Sequence, residues 1–529
     1  MNLRSILSGS VYLILLQFVS RITTFVLNQL LLPHITAEVV GIAMIQMDFL
    51  VNTILFFSRE GIRNALFRSS HSDPLEKQKL LVNISWLASV CGIPVTIGMV
   101  GYFLIFASDV EHYHSCVYIF GFSTWLELLI EPMFAVTQAN LNFKVRVFIE
   151  GLAVVLNVFT CYCFVKLGDS GDPANNSYGV LAFAYARLSF SLGLIFGYGL
   201  VYGFNRQLRT FKLNALKSNK YVDTKTLALA WSFTKQSLVK QLLNEGDKFI
   251  MSMLASPAVQ GIWAIVLNYG SLIARIVFAP LEEIFRVSYS KLLLDARTRS
   301  TEPEIRTNIN TSHKLMLLSL RLHSILGLIF ICFGSYFAYP ILHMIIGEEW
   351  ANKAAPTLSW FCYLVPLMGY NGVLESFVSS VASEAELQIQ STWMMIFMTI
   401  YSLTAYTTLS IVQMGTIGII IANAVNFTCR ILWCTLFVKK YYHDLGLYNL
   451  LLNRCFPELI TMIVGLTTMY YISTDFSIYF DNPSREQSIL FLKGHVITGV
   501  AFVGVLMVSE RVVLKDLKSL LAKEKQKAS

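Results

Sequence analysis

Charged and amide side chains recur inside the apolar stretches of this chain at spacings that put them on single helix faces. Arg21 and Asn28 lie seven residues apart in the first apolar block, and Glu127, Glu131 and Gln138 follow steps of four and seven in another. A third stretch carries Gln236, Lys240, Asn244 and Asp247 on one stripe, with Lys248 beside it, and a fourth carries Asn268 and Arg275. Residues three, four and seven apart share a helix face. A charge inside a membrane span costs roughly 2.5–3.5 kcal/mol on insertion scales, so it faces a partner or a wet cavity. Interhelix ion pairs would account for any one of these residues. Four helices polar on one side call for a common polar space. Bases (Arg21, Arg59, Arg63, Lys240, Arg275) slightly outnumber acids near it, and arginine forks match phosphate oxygens. A lipid with a phosphate head is one occupant. A proton-coupled exporter is another, with Glu127, Glu131 or Asp247 as the titrating carboxylate. No metal-ligand spacing, P-loop or nucleophile elbow occurs, so neither an enzyme nor a cofactor is expected.

The elements that must hold these residues are membrane helices. The 529 residues are 55% hydrophobic and only 14% charged, against about 25% charged in soluble domains. The mean hydropathy is +0.58, and the apolar residues fall in blocks of about 20, enough to cross a hydrocarbon core. The expected fold is all-α, a polytopic membrane protein with about 14 transmembrane helices, at 9–33, 39–57, 80–106, 115–139, 146–167, 178–203, 231–254, 258–279, 318–339, 355–377, 388–410, 414–437, 455–474 and 488–509. The block at 9–33 reads as a retained helix rather than a signal peptide, being long and holding Arg21. The nine cysteines form no CxxC pair, so neither a disulfide framework nor a zinc site is indicated.

Even-numbered loops are basic, as in Arg59, Arg63, Arg68, Lys77 and Lys79, whereas odd-numbered loops carry Asp109, Glu111, Asp169, Asp172, Glu348 and Glu349. The positive-inside rule then places both termini in the cytosol. Asn175-Asn176-Ser177 is an N-glycosylation sequon in an expected lumenal loop. Lys525 and Lys527, fifth and third from the end, resemble a dilysine retrieval signal; a basic tail on anionic lipid would look the same.

The spans also repeat. Gln17, Arg21 and Asn28 match Gln236, Lys240 and Asp247 in spacing; Gly41-Ile42 with Asp48 matches Gly261-Ile262 with Asn268; and Arg59-Glu60-x-x-Arg63 is mirrored, three residues later in register, by Glu282-Glu283-x-x-Arg286. Two six-helix repeat lobes follow, 1–205 and 231–440, joined by a basic cytosolic linker, 206–230. Two extra C-terminal helices and a basic tail occupy 441–529. Parallel repeats of this kind place a site between lobes that rock.

Several of these stretches resemble one family. Arg21-Ile-Thr-Thr-Phe-Val-Leu-Asn28, Glu127-Leu-Leu-Ile-Glu131-Pro132 with Gln138, and Phe143-Lys144-Val-Arg146-Val are similar to the eukaryotic oligosaccharide-translocation family of the endoplasmic reticulum. So are Lys235-Gln236-Ser237 through Lys240 to Asn244-Glu245-Gly246-Asp247-Lys248, and Leu267-Asn268-Tyr269-Gly270 with Arg275 and Pro280-Leu281-Glu282-Glu283. The likeness runs in order over roughly 10–290. It implies the superfamily of multidrug, oligosaccharidyl-lipid and polysaccharide exporters, an endoplasmic reticulum membrane location, and a dolichol-pyrophosphate-linked heptasaccharide as the lipid partner. It also implies a role in N-glycosylation, either as a flippase or as an accessory factor presenting that lipid to lumenal mannosyltransferases; no nucleic acid is involved. On that reading Arg21, Arg59, Arg63, Lys240 and Arg275 would attract the pyrophosphate. Asn28, Gln138, Asn244 and Asn268, with Glu127, Glu131 and Asp247, would line the glycan cavity. Glu60, Glu282, Glu283 and Arg286 would form gate ion pairs, with Glu282 and Glu283 as partners for Arg63 or Arg286.

Overall fold

In lipid every backbone N–H and C=O must be satisfied within the protein, which leaves helices or closed barrels. The computed structural model takes the first course: the described residues are helical and contain no strand. They are 29–68, 74–140, 142–169, 171, 178–204, 211–212, 224–298, 302–446, 455–479, 484–511 and 515. Fifteen helices run through them: α1 Ala37–Leu66, α2 Pro74–Ile105, α3 Tyr113–Leu128, α4 Glu131–Ala139, α5 Phe143–Leu167, α6 Gly179–Phe204, α7 Thr224–Leu254 and α8 Pro257–Leu293. These are followed by α9 Ile305–Ile346, α10 Glu348–Phe361, α11 Val365–Val381, α12 Glu384–Ile411, α13 Thr416–Asp444, α14 Leu459–Tyr479 and α15 Arg485–Ser509.

Ten helices among the described residues are long and apolar enough to cross a membrane, or eleven if the bent pair α3–α4 counts as one span. The expected first span, 9–33, lies almost wholly outside them. Two other expected spans differ from a plain apolar rod for visible reasons. The one at 231–254 lies in α7, which carries Lys235, Lys240, Glu245, Asp247 and Lys248 and is too charged to qualify. The one at 355–377 is broken between α10 and α11, where Pro366 follows the turn at Cys362–Leu364.

The chain forms two compact units, Met1–Ala264 and Ile265–Ser529, the division falling within α8. In the first unit α1 is the interior helix. Its apolar window is 72% buried against 17% for α5, so α5 is the helix turned outward, with Phe148, Val155 and Phe159 exposed as a lipid-facing side chain would be. Ile130, Phe134, Ile149, Ala153, Leu194 and Tyr198 pack α4, α5 and α6 together. In the second unit Tyr289, Met316, Val373, Phe377, Cys434 and Tyr442 join α8, α9, α11 and α13.

One contact in the first unit ties the sequence repeat to geometry. A Cβ on Gly41 would strike the carbonyl oxygen of Pro257, and a Cβ on Gly261 would strike the carbonyl oxygen of Ala37. Each blocking carbonyl lies four residues before the opposite glycine. The repeat-related glycines therefore cross backbone to backbone in a reciprocal contact that only a residue without Cβ permits.

Candidate functional site

The first-unit site begins with a helix break. Pro132 follows Glu131 at the start of α4, and its ring nitrogen has no hydrogen for the carbonyl of Leu128. That carbonyl instead accepts from the Ser89 hydroxyl at 2.7 Å. The chain bends by 42° between α3 and α4. Glu127 ends one segment and Glu131 opens the other, and both are buried.

Each carboxylate meets an arginine from the same face of α1. Arg59 Nη1 donates to Glu127 Oε1 at 2.8 Å. Arg63 grips Glu131 with two bonds, from Nε to Oε1 and from Nη2 to Oε2, the latter 2.8 Å. The four-residue step on α1 thus matches the four-residue step across the break. Glu127 receives a second guanidinium, from Arg187 of α6, through its other oxygen. On α5, Arg146 donates to Glu150 at 2.7 Å and to the Gln138 carbonyl oxygen at 2.9 Å. Phe134 lies beneath both Arg63 and Arg146, at 3.9 and 4.8 Å from its ring centre, and Phe190 lies 5.0 Å from Arg187. Such stacking suits the planar, weakly hydrated guanidinium. Arg59, Arg63, Glu127, Glu131, Phe134, Arg146, Glu150 and Phe190 surround a cavity of about 330 Å³ lined also by Ile130, Val154, Leu194 and Tyr198. Four arginines face three glutamates, so the cluster has one positive charge in surplus.

Elsewhere in this unit, Lys248 of α7 bonds Asp48 of α1 at 2.6 Å and Glu245 at 2.9 Å, while Asn52 donates to Glu245 at 3.3 Å. Asp247, the expected cavity residue, is exposed and accepts from the Lys248 backbone N–H at 2.8 Å.

The second unit has its own charged cavity, about 500 Å³, lined by Glu282, Glu283, Arg286, Glu375 and Arg430 among others. Arg430 of α13 donates to Glu375 of α11 at 2.9 Å and 2.6 Å. Arg286 pairs with Glu283 one turn away. Here three acids face two arginines.

The structure brings Arg59, Arg63, Glu127, Glu131 and Gln138 into one site, and Glu282, Glu283 and Arg286 into another. Arg63 is held by Glu131, because the α3–α4 break delivers a carboxylate to it within the same unit. Glu60 accepts from Asn64 on its own helix at 3.3 Å. Asn268 is on α8, its Nδ2 without a hydrogen bond among the described residues. Arg21, Asn28 and Asn175 lie outside the described residues, as do the side chains of Lys240, Asn244 and Arg275. Five charged residues of these clusters were missed as site residues: Arg146, Glu150, Arg187, Glu375 and Arg430. Arg187 and Arg430 are single charges well inside an expected span, which was signal enough; Glu375 stands near the end of one, and Glu150 four residues after Arg146, the spacing of a helical ion pair.

The chain matches the family described as Rft protein over residues 5–520. It belongs to that family. Among its relatives is the Man(5)GlcNAc(2)-PP-dolichol translocation protein RFT1 of Dictyostelium discoideum, 30% identical over 472 residues, covering 80% of this chain and 84% of that protein. The protein of the same name from Candida albicans is 30% identical over 501 residues, 88% of each chain. That of Saccharomyces cerevisiae is 28% identical over 495 residues, 83% of each. Among solved structures, Lipid II flippase MurJ in an inward closed conformation aligns with TM-score 0.53 and 14% identity, covering 93% of this Rft-family chain and 98% of that one. An inward-facing multidrug resistance MATE family transporter of the MOP superfamily also reaches TM-score 0.53, at 13% identity, covering 79% and 95%. At these identities the likeness is one of fold: the chain has the helical transporter fold of that superfamily.

Proposed function

We propose that this Rft-family chain translocates a dolichol-pyrophosphate-linked oligosaccharide from the cytosolic to the lumenal leaflet of the endoplasmic reticulum membrane, with both termini in the cytosol. The observation that carries this reading is the first-unit cavity: six charged side chains from three membrane segments line one space, with Arg187 of a fourth bonded to Glu127, where a purely structural bundle would be apolar. Such convergence marks a substrate path in membrane proteins. The relatives' names supply the substrate class, and the pyrophosphate head gives the surplus arginine charge an occupant. Arg59 and Arg63 are then reoriented from Glu127 and Glu131 toward the lipid head, and Gln138 serves the glycan. Lys240, Asn244, Asn268, Asp247, Arg21, Asn28 and Arg275 complete the path, while Glu60, Glu282, Glu283 and Arg286 serve its gating. The lobes 1–205 and 231–440 are the moving parts.

The test is reconstitution of the full chain into vesicles carrying labelled lipid-linked oligosaccharide. Transbilayer movement above that of protein-free vesicles is expected. Movement equal to protein-free vesicles overturns translocation and leaves the second reading, in which the chain holds the lipid and hands it to lumenal mannosyltransferases. The pairing of Arg59 and Arg63 with buried glutamates of their own unit favours that static role.

A further inference from the structure

The hydroxyl of Tyr198 is buried, borders the first-unit cavity, and has no hydrogen-bond partner among the described residues. The residue is 1% exposed, and burying a hydroxyl without a partner is unfavourable. Arg187 Nε, three turns earlier on the same face of α6, is likewise buried without a partner. Both orphan groups can donate, and the Nε–H can do nothing else. Their surroundings hold one guanidinium more than they hold carboxylates, because Arg59 and Arg187 share Glu127. Surplus donors together with surplus positive charge fit an acceptor bearing negative charge. A neutral sugar would bring as many donors as acceptors and would leave the charge unanswered.

We propose that this cavity is an anion subsite that receives a phosphoryl group, with Tyr198 at its wall as the added donor and Arg187, bonded to Glu127, supplying the surplus positive charge. It deepens the translocation reading and rests on it only for the identity of the group attached to the phosphate. The cavity lies where α1 ends, α4 begins and α5 begins, next to loops whose basic residues mark the expected cytosolic side. A phosphoryl lipid presented in the cytosolic leaflet would meet it there.

The experiment uses the purified full chain in lipid nanodiscs and measures binding by ligand-induced thermal shift with four probes: farnesyl diphosphate, farnesyl monophosphate, farnesol and inorganic pyrophosphate. Stabilisation by the phosphorylated lipids and none by farnesol is expected; stabilisation by pyrophosphate alone would assign the site to free phosphates instead of lipid headgroups. In Tyr198→Phe the affinity for farnesyl diphosphate falls about tenfold or more, the worth of a hydrogen bond to a charged group, while the unliganded protein melts no earlier than the parent, since an unsatisfied hydroxyl has been removed. Tyr289→Phe is the control: that buried hydroxyl is bonded to Ser319 at 3.1 Å, and its loss lowers stability without changing affinity. Parent-like affinity in Tyr198→Phe, with farnesyl diphosphate still binding the parent, overturns the subsite and leaves translocation standing. Absence of diphosphate binding by the parent overturns the subsite as well. Vesicle transport then decides the wider reading separately.

Discussion

Replacing Glu131 with glutamine removes one charge and almost no volume from the most buried ion pair of the first unit. The Glu131 side chain is 2% exposed and that of Arg63 21%. Breaking a pair at such depth by neutralising one partner costs about 3–5 kcal/mol, because the other charge stays buried. The face of Phe134 under Arg63 offsets about 0.5–2 kcal/mol at most. The cluster's composition adds a sign. Glu131→Gln raises the positive surplus from one to two, whereas Arg63→Gln removes the surplus, so the acid-to-amide variant should be the more damaging. The double variant places two amides where two charges stood. Its loss should fall short of the summed single losses by at least about 2 kcal/mol. The assay is unfolding of the purified full chain in one detergent for the parent, both singles and the double. Additivity within about 0.5 kcal/mol would refute the pairing, and a milder effect from Glu131→Gln than from Arg63→Gln would refute the charge balance.

Gly261→Ala should destabilise the first unit by about 1–3 kcal/mol or more, since the new methyl group meets the Ala37 carbonyl and not a side chain able to turn away; protein abundance and melting temperature read it, and a parent-like melt would show that the helices are not so close. Arg321→Gln leaves Glu510, whose side chain is 3% exposed, without the guanidinium that bonds it at 2.6 Å and also reaches Glu458 at 2.9 Å. A loss of about 3 kcal/mol is expected, with α14–α15 becoming the first segment cut in limited proteolysis; uniform cleavage elsewhere would show that the pair is not held by this link.

How far the site could be read beforehand depended on which physical cue each residue left. Glu127, Glu131 and Gln138 were visible because charge inside an apolar stretch is rare, and their four- and seven-residue steps put them on one stripe. What the stripe could not show was the break at Pro132. A straight helix would have aligned the carboxylates, but the proline separates them onto two segments, and each then meets its own arginine. Arg59 and Arg63 were visible as bases, yet their partners were not, since nothing in a sequence states which helix lies against which. Arg187 stood alone in a long apolar run. A lone charge gives no stripe, so attention to faces passed over it, although insertion energy alone marks it as strongly as Arg21. Apolar length likewise does not show where a span is interrupted, as by the charges along α7 or the turn between α10 and α11.

The two charged cavities, each taken within its own unit, repeat one plan with the sign reversed. In the first, an arginine from the sixth expected span, Arg187, bonds a glutamate from the fourth, Glu127. In the second, an arginine from the twelfth, Arg430, bonds a glutamate from the tenth, Glu375. The two pairs occupy corresponding expected spans, and each ties helices of its own unit together without either arginine having to be a ligand. What differs is the group that joins it. In the first unit α1 adds Arg59 to Glu127, giving two cations on one carboxylate. In the second, α8 adds Glu282 to a cavity where Glu375 already faces Arg430, giving an excess of acid.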